Sequence, residues 1–213
     1  MKRRRPQCPK GIRPFFPEAS GFTLIELLTV LAIVAMLAAI ALPTLGSARN
    51  AVARARTRTQ FAQWTLACAQ FRQEYGFLPA LGTNDRIATP DDTLAFVRTL
   101  TGRNPDGSDI TDPATLGGNT RRIAFLTLTD SDLREGRLTD AFGNVDFGVM
   151  ADRDGNGLVR AGSDGQPVAV TSTEGEPLTP PSDALPVAGV RAGVLFYSAG
   201  RGRSADDLVF SWR

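Results

Sequence analysis

Residues 21–42 read GFTLIELLTVLAIVAMLAAIAL, an almost unbroken apolar stretch that ends before Pro43. A bilayer core about 30 Å thick needs about 20 apolar residues in a helix, so this stretch is long enough to span a membrane. Its one charged residue is Glu26, close to the N-terminal end. Because a carboxylate inside a membrane segment costs free energy, Glu26 is a candidate functional residue.

The segment before this stretch is strongly basic. Residues 1–21 contain six basic residues and one acidic residue, Glu18, whereas the rest of the chain contains 18 basic and 21 acidic residues. Positive charge beside an apolar helix favours a cytoplasmic location for the basic side. We therefore expect the C-terminal part on the outer side of the membrane. Its slight excess of acidic residues does not indicate a nucleic-acid-binding surface.

An ordinary secretory signal is the alternative explanation for the N-terminus. Ala39-Ile40-Ala41 fits a signal-peptidase site, which would make residues 1–41 a removable signal. The apolar stretch is, however, longer than the usual apolar region of about 7–15 residues in a signal peptide. It also contains Glu26. Both features favour an anchor.

The hexapeptide Gly21-Phe22-Thr23-Leu24-Ile25-Glu26 resembles the cleavage and methylation motif of type IV pilins and type II secretion pseudopilins. The resemblance implies that a prepilin peptidase cuts between Gly21 and Phe22 and methylates Phe22. Glu26 falls at the fifth mature position, where the family has a glutamate. We expect its carboxylate to pair with the freed α-amine of Phe22, because each charge is costly if left alone in an apolar filament core.

A row of apolar side chains beyond the membrane segment predicts an amphipathic helix. The row consists of Phe61, Trp64, Cys68, Phe71 and Tyr75. Their spacing places them on one helical face, which we expect to pack on a sheet with Cys68 as a small buried side chain. Gly76 and Pro79 then end the helix. One helix is thus predicted from about Thr23 to Tyr75.

The remaining chain predicts a small αβ head. Thr89 and Pro90 indicate the start of a second helix that ends at Gly102. Strands are predicted around Phe147, over 190–197 and over 208–212, with long polar loops at 102–120 and 171–186. The motifs 140–144, 198–200 and 206–212 resemble the turn and C-terminal end of the major pseudopilin.

These features predict an α+β, pilin-like fold in which a long N-terminal helix packs on a small antiparallel sheet. We expect a leader at 1–21 that is removed, a transmembrane helical segment at 22–45 and a periplasmic head at 46–213. The head includes the amphipathic half of the long helix.

The residue inventory argues against an enzyme. The chain has no histidine, and both of its lysines lie in the leader. It also has no P-loop and no Cys-x-x-Cys motif. Its two cysteines, Cys8 and Cys68, cannot form a disulfide framework, and only Cys68 would remain after processing. We expect no catalytic residues.

The resemblance implies a structural subunit of a type II secretion pseudopilus in the inner membrane, with its head in the periplasm. Its expected partners are further copies of itself, other pseudopilins, prepilin peptidase, the inner-membrane secretion platform and, before assembly, the lipid bilayer. A type IV pilin acting in adhesion, motility or DNA uptake is one alternative. A signal-anchored periplasmic binding domain is an alternative of another class.

Two loops are candidate sites for one calcium ion, which prefers oxygen ligands. Asp152, Asp154 and Asn156, followed by Gly157, match the first half of an EF-hand loop. The next carboxylate, Asp164, arrives one residue late. An Asx-Gly turn explains the same residues without a metal. The family resemblance implies a second loop, where Asp206 and Asp207 stand near two arginines.

Overall fold

A computed structural model describes residues 21–213, apart from the side chains of residues 40–45. Residues 1–20 of the predicted leader (1–21) lie outside the described residues. The side chains of Ile40 and Ala41 in the alternative signal-peptidase site also lie outside them. The chain divides at Leu45 into two compact units, which are described separately.

The architecture is α+β, as predicted: a helix followed by a small antiparallel sheet. Helix α1 spans Leu24–Tyr75 and helix α2 spans Pro90–Thr101. The strands are Arg86–Ile87 (β1), Leu133–Arg134 (β2), Arg137–Leu138 (β3), Phe147–Ala151 (β4), Val170–Thr171 (β5), Pro177–Leu178 (β6), Val194–Ser198 (β7) and Val209–Phe210 (β8). Short 3-10 helices lie at Pro113–Leu116, Asp130–Asp132 and Ala205–Asp207.

The main sheet has the strand order β1-β4-β7-β8, with every pair antiparallel. Its centre is the pairing of β4 with β7, in which Gly148 lies opposite Tyr197. Two separate two-stranded sheets, β2-β3 and β5-β6, complete the strand pairing of the described residues.

The predicted helical face forms the core of the head. Phe61, Trp64, Cys68 and Phe71 are all at most 1% exposed, and Tyr75 is partly buried. They share one apolar cluster with α2 and with the facing side chains of β4 and β7. Cys68 is a small buried side chain in this cluster, as predicted, and burial raises the pKa of its thiol.

A second apolar cluster covers the opposite face of the sheet. Met150 of β4 and Leu195 of β7 point into it, whereas their neighbours Val149 and Phe196 belong to the helix-side cluster. Loop residues from Val159 to Leu185 supply its outer wall. Because both faces are covered, β4 is buried at four successive positions and lacks the polar alternation of a half-exposed strand.

The structure corrects the predicted strand boundaries. The strand predicted around Phe147 begins at that residue, and the Asp146 carboxylate just before it pairs with Arg86. Strands β7 (Val194–Ser198) and β8 (Val209–Phe210) are shorter than the predicted ranges 190–197 and 208–212. The 171–186 loop is not wholly irregular, because it contains β6.

Helix α2 begins with a complete capping box, which confirms the predicted N-cap. Thr89 Oγ1 accepts a hydrogen bond from the Asp92 N–H, and the Asp92 carboxylate accepts from the Thr89 N–H. The Asp92 carboxylate, only 5% exposed as a residue, also accepts from Thr83 and from the Ala88 N–H. Burial disfavours the Asp92 charge, but these hydrogen bonds outweigh burial and lower its pKa.

We predict that Asp92→Asn destabilises the head by about 1–3 kcal/mol at neutral pH, because its amide group would face backbone N–H donors. A lowered folded-state pKa adds stability above the unfolded-state pKa, and this stability is lost as pH falls through the folded-state value. The deficit of Asp92→Asn should therefore shrink in acid. Thermal unfolding followed by circular dichroism measures both effects, and the exposed neighbour Asp91→Asn is the control. An equal deficit at neutral and acid pH would contradict this account.

Gly148 allows the Tyr197 ring to lie flat against β4. A Cβ atom at Gly148 would lie 1.9 Å from Tyr197 Cζ. The ring cannot easily move aside, because its hydroxyl accepts from the Val168 N–H at 2.7 Å and donates to the Val168 carbonyl at 2.8 Å.

We predict that Gly148→Ala costs about 1–3 kcal/mol of unfolding free energy, the usual penalty of overpacking. Gly193→Ala is the matched control, since the nearest atom to its added Cβ would be at 3.6 Å. Urea unfolding of both variants measures the difference. Equal stability of the two variants would show that the Tyr197 ring can be displaced without cost.

Candidate functional site

The N-terminal motif begins helix α1 with a second capping box. The N–H and the hydroxyl of Thr23 both donate to Glu26 Oε2, at 2.8 and 2.7 Å. In return, the Glu26 N–H donates to Thr23 Oγ1 at 3.3 Å. The carboxylate thus lies in the first turn of the helix, where the helix dipole favours negative charge. This role of Thr23 was not predicted, although the Thr-x-x-Glu spacing before an apolar run is a known signature of a capping box.

The predicted cleavage site lies immediately before this cap. A Cβ atom at Gly21 would meet no described atom within 4 Å, and Phe22 is 82% exposed. The peptide bond between the two residues is therefore open to solvent in the described N-terminal unit. Phe22 is adjacent in sequence to Thr23, whose N–H binds Glu26, so cleavage would create a positive charge one residue before the group that binds the carboxylate.

The first turns of α1 expose a continuous set of large apolar side chains. Between 50% and 77% of each is exposed, and the set comprises Leu24, Ile25, Leu27, Leu28, Val30, Leu31, Ile33, Val34, Met36 and Leu37. Exposed apolar area of this extent indicates a surface that another apolar phase or protein covers.

Within the described part of the chain, none of the helices meets the combined length and hydropathy required of a membrane-spanning segment.

The acidic loop that follows β4 brings together three carboxylates. Oxygen atoms of Asp152, Asp154 and Asp164 lie within 4.8 Å of one another. Two were predicted as calcium ligands, whereas Asp164 was noted only as arriving one residue late. Asn156, the remaining predicted ligand of this loop, donates from Nδ2 to Asp154 Oδ2 at 2.6 Å.

A residue of α1 also enters this loop. Arg72 Nη1 donates to Asp152 Oδ2 at 3.0 Å, and the Gly157 N–H donates to the same oxygen at 3.0 Å. Burial disfavours the charge on Asp152, but these hydrogen bonds outweigh burial, so the pKa of Asp152 lies below its ordinary value. The contribution of Arg72 was not predicted, because no local sequence pattern links positions 72 and 152.

Asp164 is held by backbone groups of the same loop. The N–H groups of Arg153 and Arg160 donate to its two oxygens, each at 2.9 Å. Burial again disfavours the charge, and the hydrogen bonds again lower the pKa of the carboxyl group. The loop therefore presents its carboxylates in a fixed arrangement.

The second predicted calcium loop contains an arginine from α1. Arg54 Nη2 lies 3.9 Å from Asp207 Oδ1 and donates to the Asp206 carbonyl at 3.3 Å. Asp207 Oδ2 accepts from the Arg203 N–H at 3.1 Å. A guanidinium group thus lies close to one of the two carboxylates of this loop.

One family model matches the chain, over residues 18–42: the prokaryotic N-terminal methylation motif. No curated protein and no solved structure matches the chain. The matched residues include Gly21, Phe22 and Glu26. Together with the helix-plus-sheet architecture, this match supports a type IV pilin-like protein or pseudopilin that prepilin peptidase processes, whose N-terminus is membrane-anchored before polymerisation into filaments.

Proposed function

We propose that the chain is a structural subunit of a type II secretion pseudopilus. The observation that carries this proposal is the Glu26 carboxylate, held by the Thr23 cap at the start of an exposed apolar helix. A carboxylate on an apolar helix is stabilised if a positive charge pairs with it. Cleavage after Gly21 supplies that positive charge as the α-amine of Phe22.

Before assembly, the apolar residues of α1 lie in the inner membrane in this proposal. The basic leader supports a cytoplasmic N-terminus, because it carries six of the chain's 24 basic residues within residues 1–21. The head at 46–213, which has its own apolar core, then faces the periplasm.

In the filament, the same apolar surface packs against α1 of neighbouring subunits. Helix packing of this kind leaves the axial register undefined unless a polar contact selects one position. Pairing of the Phe22 α-amine with Glu26 of the same or an adjacent subunit sets that register. Growth from the membrane then pushes cargo outward, and catalysis by the head is not required.

The cysteine content favours a pseudopilin over a type IV pilin. Many pilins close their C-terminal region with a disulfide, whereas processing would leave only Cys68 in this chain. Cys68 is fully buried in the helix-side core, where it has no access to a second thiol on another chain.

Processing is tested first. Gly21→Val should leave the precursor uncut, about 2 kDa heavier on a gel, because the added side chain would keep the backbone out of a narrow protease groove that only glycine fits. Mass spectrometry should find N-methyl-Phe22 at the start of the wild-type protein. Gly46→Val, a glycine exchange within α1 but outside the motif, is the control and should be processed. A mature N-terminus at Leu42 would indicate ordinary secretion instead.

Assembly is tested with Glu26→Gln, which can keep the hydrogen bonds from Thr23 but removes the charge. We expect normal processing, at least tenfold fewer filaments and loss of secreted proteins from the medium, since the unpaired α-amine is costly in an apolar core. Thr23→Ala weakens the cap and keeps the charge, so it should still assemble. Wild-type filament yield from Glu26→Gln would overturn the pairing role. Intact secretion with loss of surface pili would favour a type IV pilin.

A further inference from the structure

We propose that the loop 152–164 binds one calcium ion through the carboxylates of Asp152, Asp154 and Asp164 and the side-chain oxygen of Asn156. This inference rests on the head alone and is independent of the filament assignment. It differs from the expectation of the sequence by including Asp164 and by choosing this loop over the loop at Asp206 and Asp207.

The spacing of the carboxylates suits calcium. Calcium–oxygen distances are about 2.3–2.6 Å, so two ligands on opposite sides of one ion lie about 4.8 Å apart. One oxygen of each of the three aspartates lies within 4.8 Å of the other two. One ion can therefore contact all three with only small side-chain movements.

A buried carboxylate oxygen in this cluster lacks a partner. The Asp152 side chain is fully buried, and its Oδ2 accepts from Arg72 and Gly157. Among the described residues, no donor reaches Asp152 Oδ1. A buried acceptor left unpaired costs about 1–3 kcal/mol, which bonding to a cation removes. This orphaned oxygen distinguishes the loop from an acidic turn whose oxygens are all satisfied by N–H groups.

The local charge also favours a divalent cation. Three carboxylates meet one guanidinium group, that of Arg72, so their sum is −2 at neutral pH. The two nearby arginines point elsewhere: Arg153 pairs with Asp85, and Arg160 donates to the Ala188 carbonyl. A calcium ion would balance the remaining charge of the cluster.

The backbone of the loop is already bent as a calcium loop requires. Gly157 has φ +82°, a value that favours glycine, and its N–H binds the first aspartate of the loop. Two residues later, Val159 forms a β-bridge with Val190, which fixes the far side of the loop. Asn156 Oδ1 accepts from the Leu158 N–H at 2.8 Å, so calcium would bind its second lone pair. At Asp154 Oδ2, calcium would replace the Asn156 Nδ2 donor. The remaining ligands are water or loop carbonyls.

The other candidate loop lacks these properties. Arg54 already lies beside Asp207, and the Asp206 carbonyl accepts from the same guanidinium group. A calcium ion there would meet a positive charge with only two carboxylates to offset it.

The test is calorimetric titration of calcium chloride into the whole chain in detergent, after treatment with a chelator. We expect one site per chain and a higher melting temperature in millimolar calcium, because binding to the folded state alone stabilises it. Asp154→Asn should weaken the affinity by about tenfold or more, because ligand charge sets the strength of such sites. Asp154 is exposed and bonds to Asn156 in its own loop, so this variant should fold.

Two further variants separate the possible sites. Asp183→Asn, an exposed carboxylate outside both loops, is the matched control and should bind as wild type. Asp207→Asn should also bind as wild type. Loss of binding in Asp207→Asn with retention in Asp154→Asn would overturn the proposal in favour of the C-terminal loop. If no heat of binding is measured and the melting curves in calcium and in chelator are identical, the proposal is wrong. The loop is then an Asx-Gly turn without a metal.

Discussion

The head depends on the packing around the Trp64 ring. Its centroid lies 5.1 Å from that of Phe147 in β4, 5.4 Å from Phe196 in β7 and 5.3 Å from Phe96 in α2. Phe61, one turn earlier, adds a contact at 5.5 Å. These elements are far apart in sequence, and one buried indole joins them. Loss of such a ring typically costs about 3–5 kcal/mol, a large fraction of the stability of a small domain.

The helices were predictable because their determinants are local. The face from Phe61 to Phe71 follows from helical spacing, and the Thr89 cap follows from its neighbours. The strands were less predictable, because their determinants are distant. Strand β1 has only two residues and is selected by pairing with β4, and β4 is buried on both faces. A hairpin at Glu135 and Gly136, both with positive φ, also escaped prediction since Glu is an unusual residue there.

In the candidate sites, too, features set by neighbouring residues were predictable and features set by distant residues were not. The Gly21–Glu26 motif could be identified completely from adjacent residues, and its geometry adds only the Thr23 cap. Part of the acidic loop could be predicted from the sequence, because Asp152, Asp154 and Asn156 are close neighbours in the chain. The contribution of Arg72 could not be found without the fold, since 80 residues separate it from Asp152. Such contacts decide whether an acidic stretch is a solvated turn or a charged cluster with a defined shape.

The burial of Cys68 has a practical consequence for the study of filaments. It is the one cysteine outside the leader, its side chain is fully buried, and its raised thiol pKa leaves little reactive thiolate at neutral pH. A cysteine introduced at the surface of the processed subunit would therefore react far faster than Cys68 with maleimides or bifunctional crosslinkers. Distances between subunits can be mapped directly in the native sequence background, without first removing a natural thiol from the core.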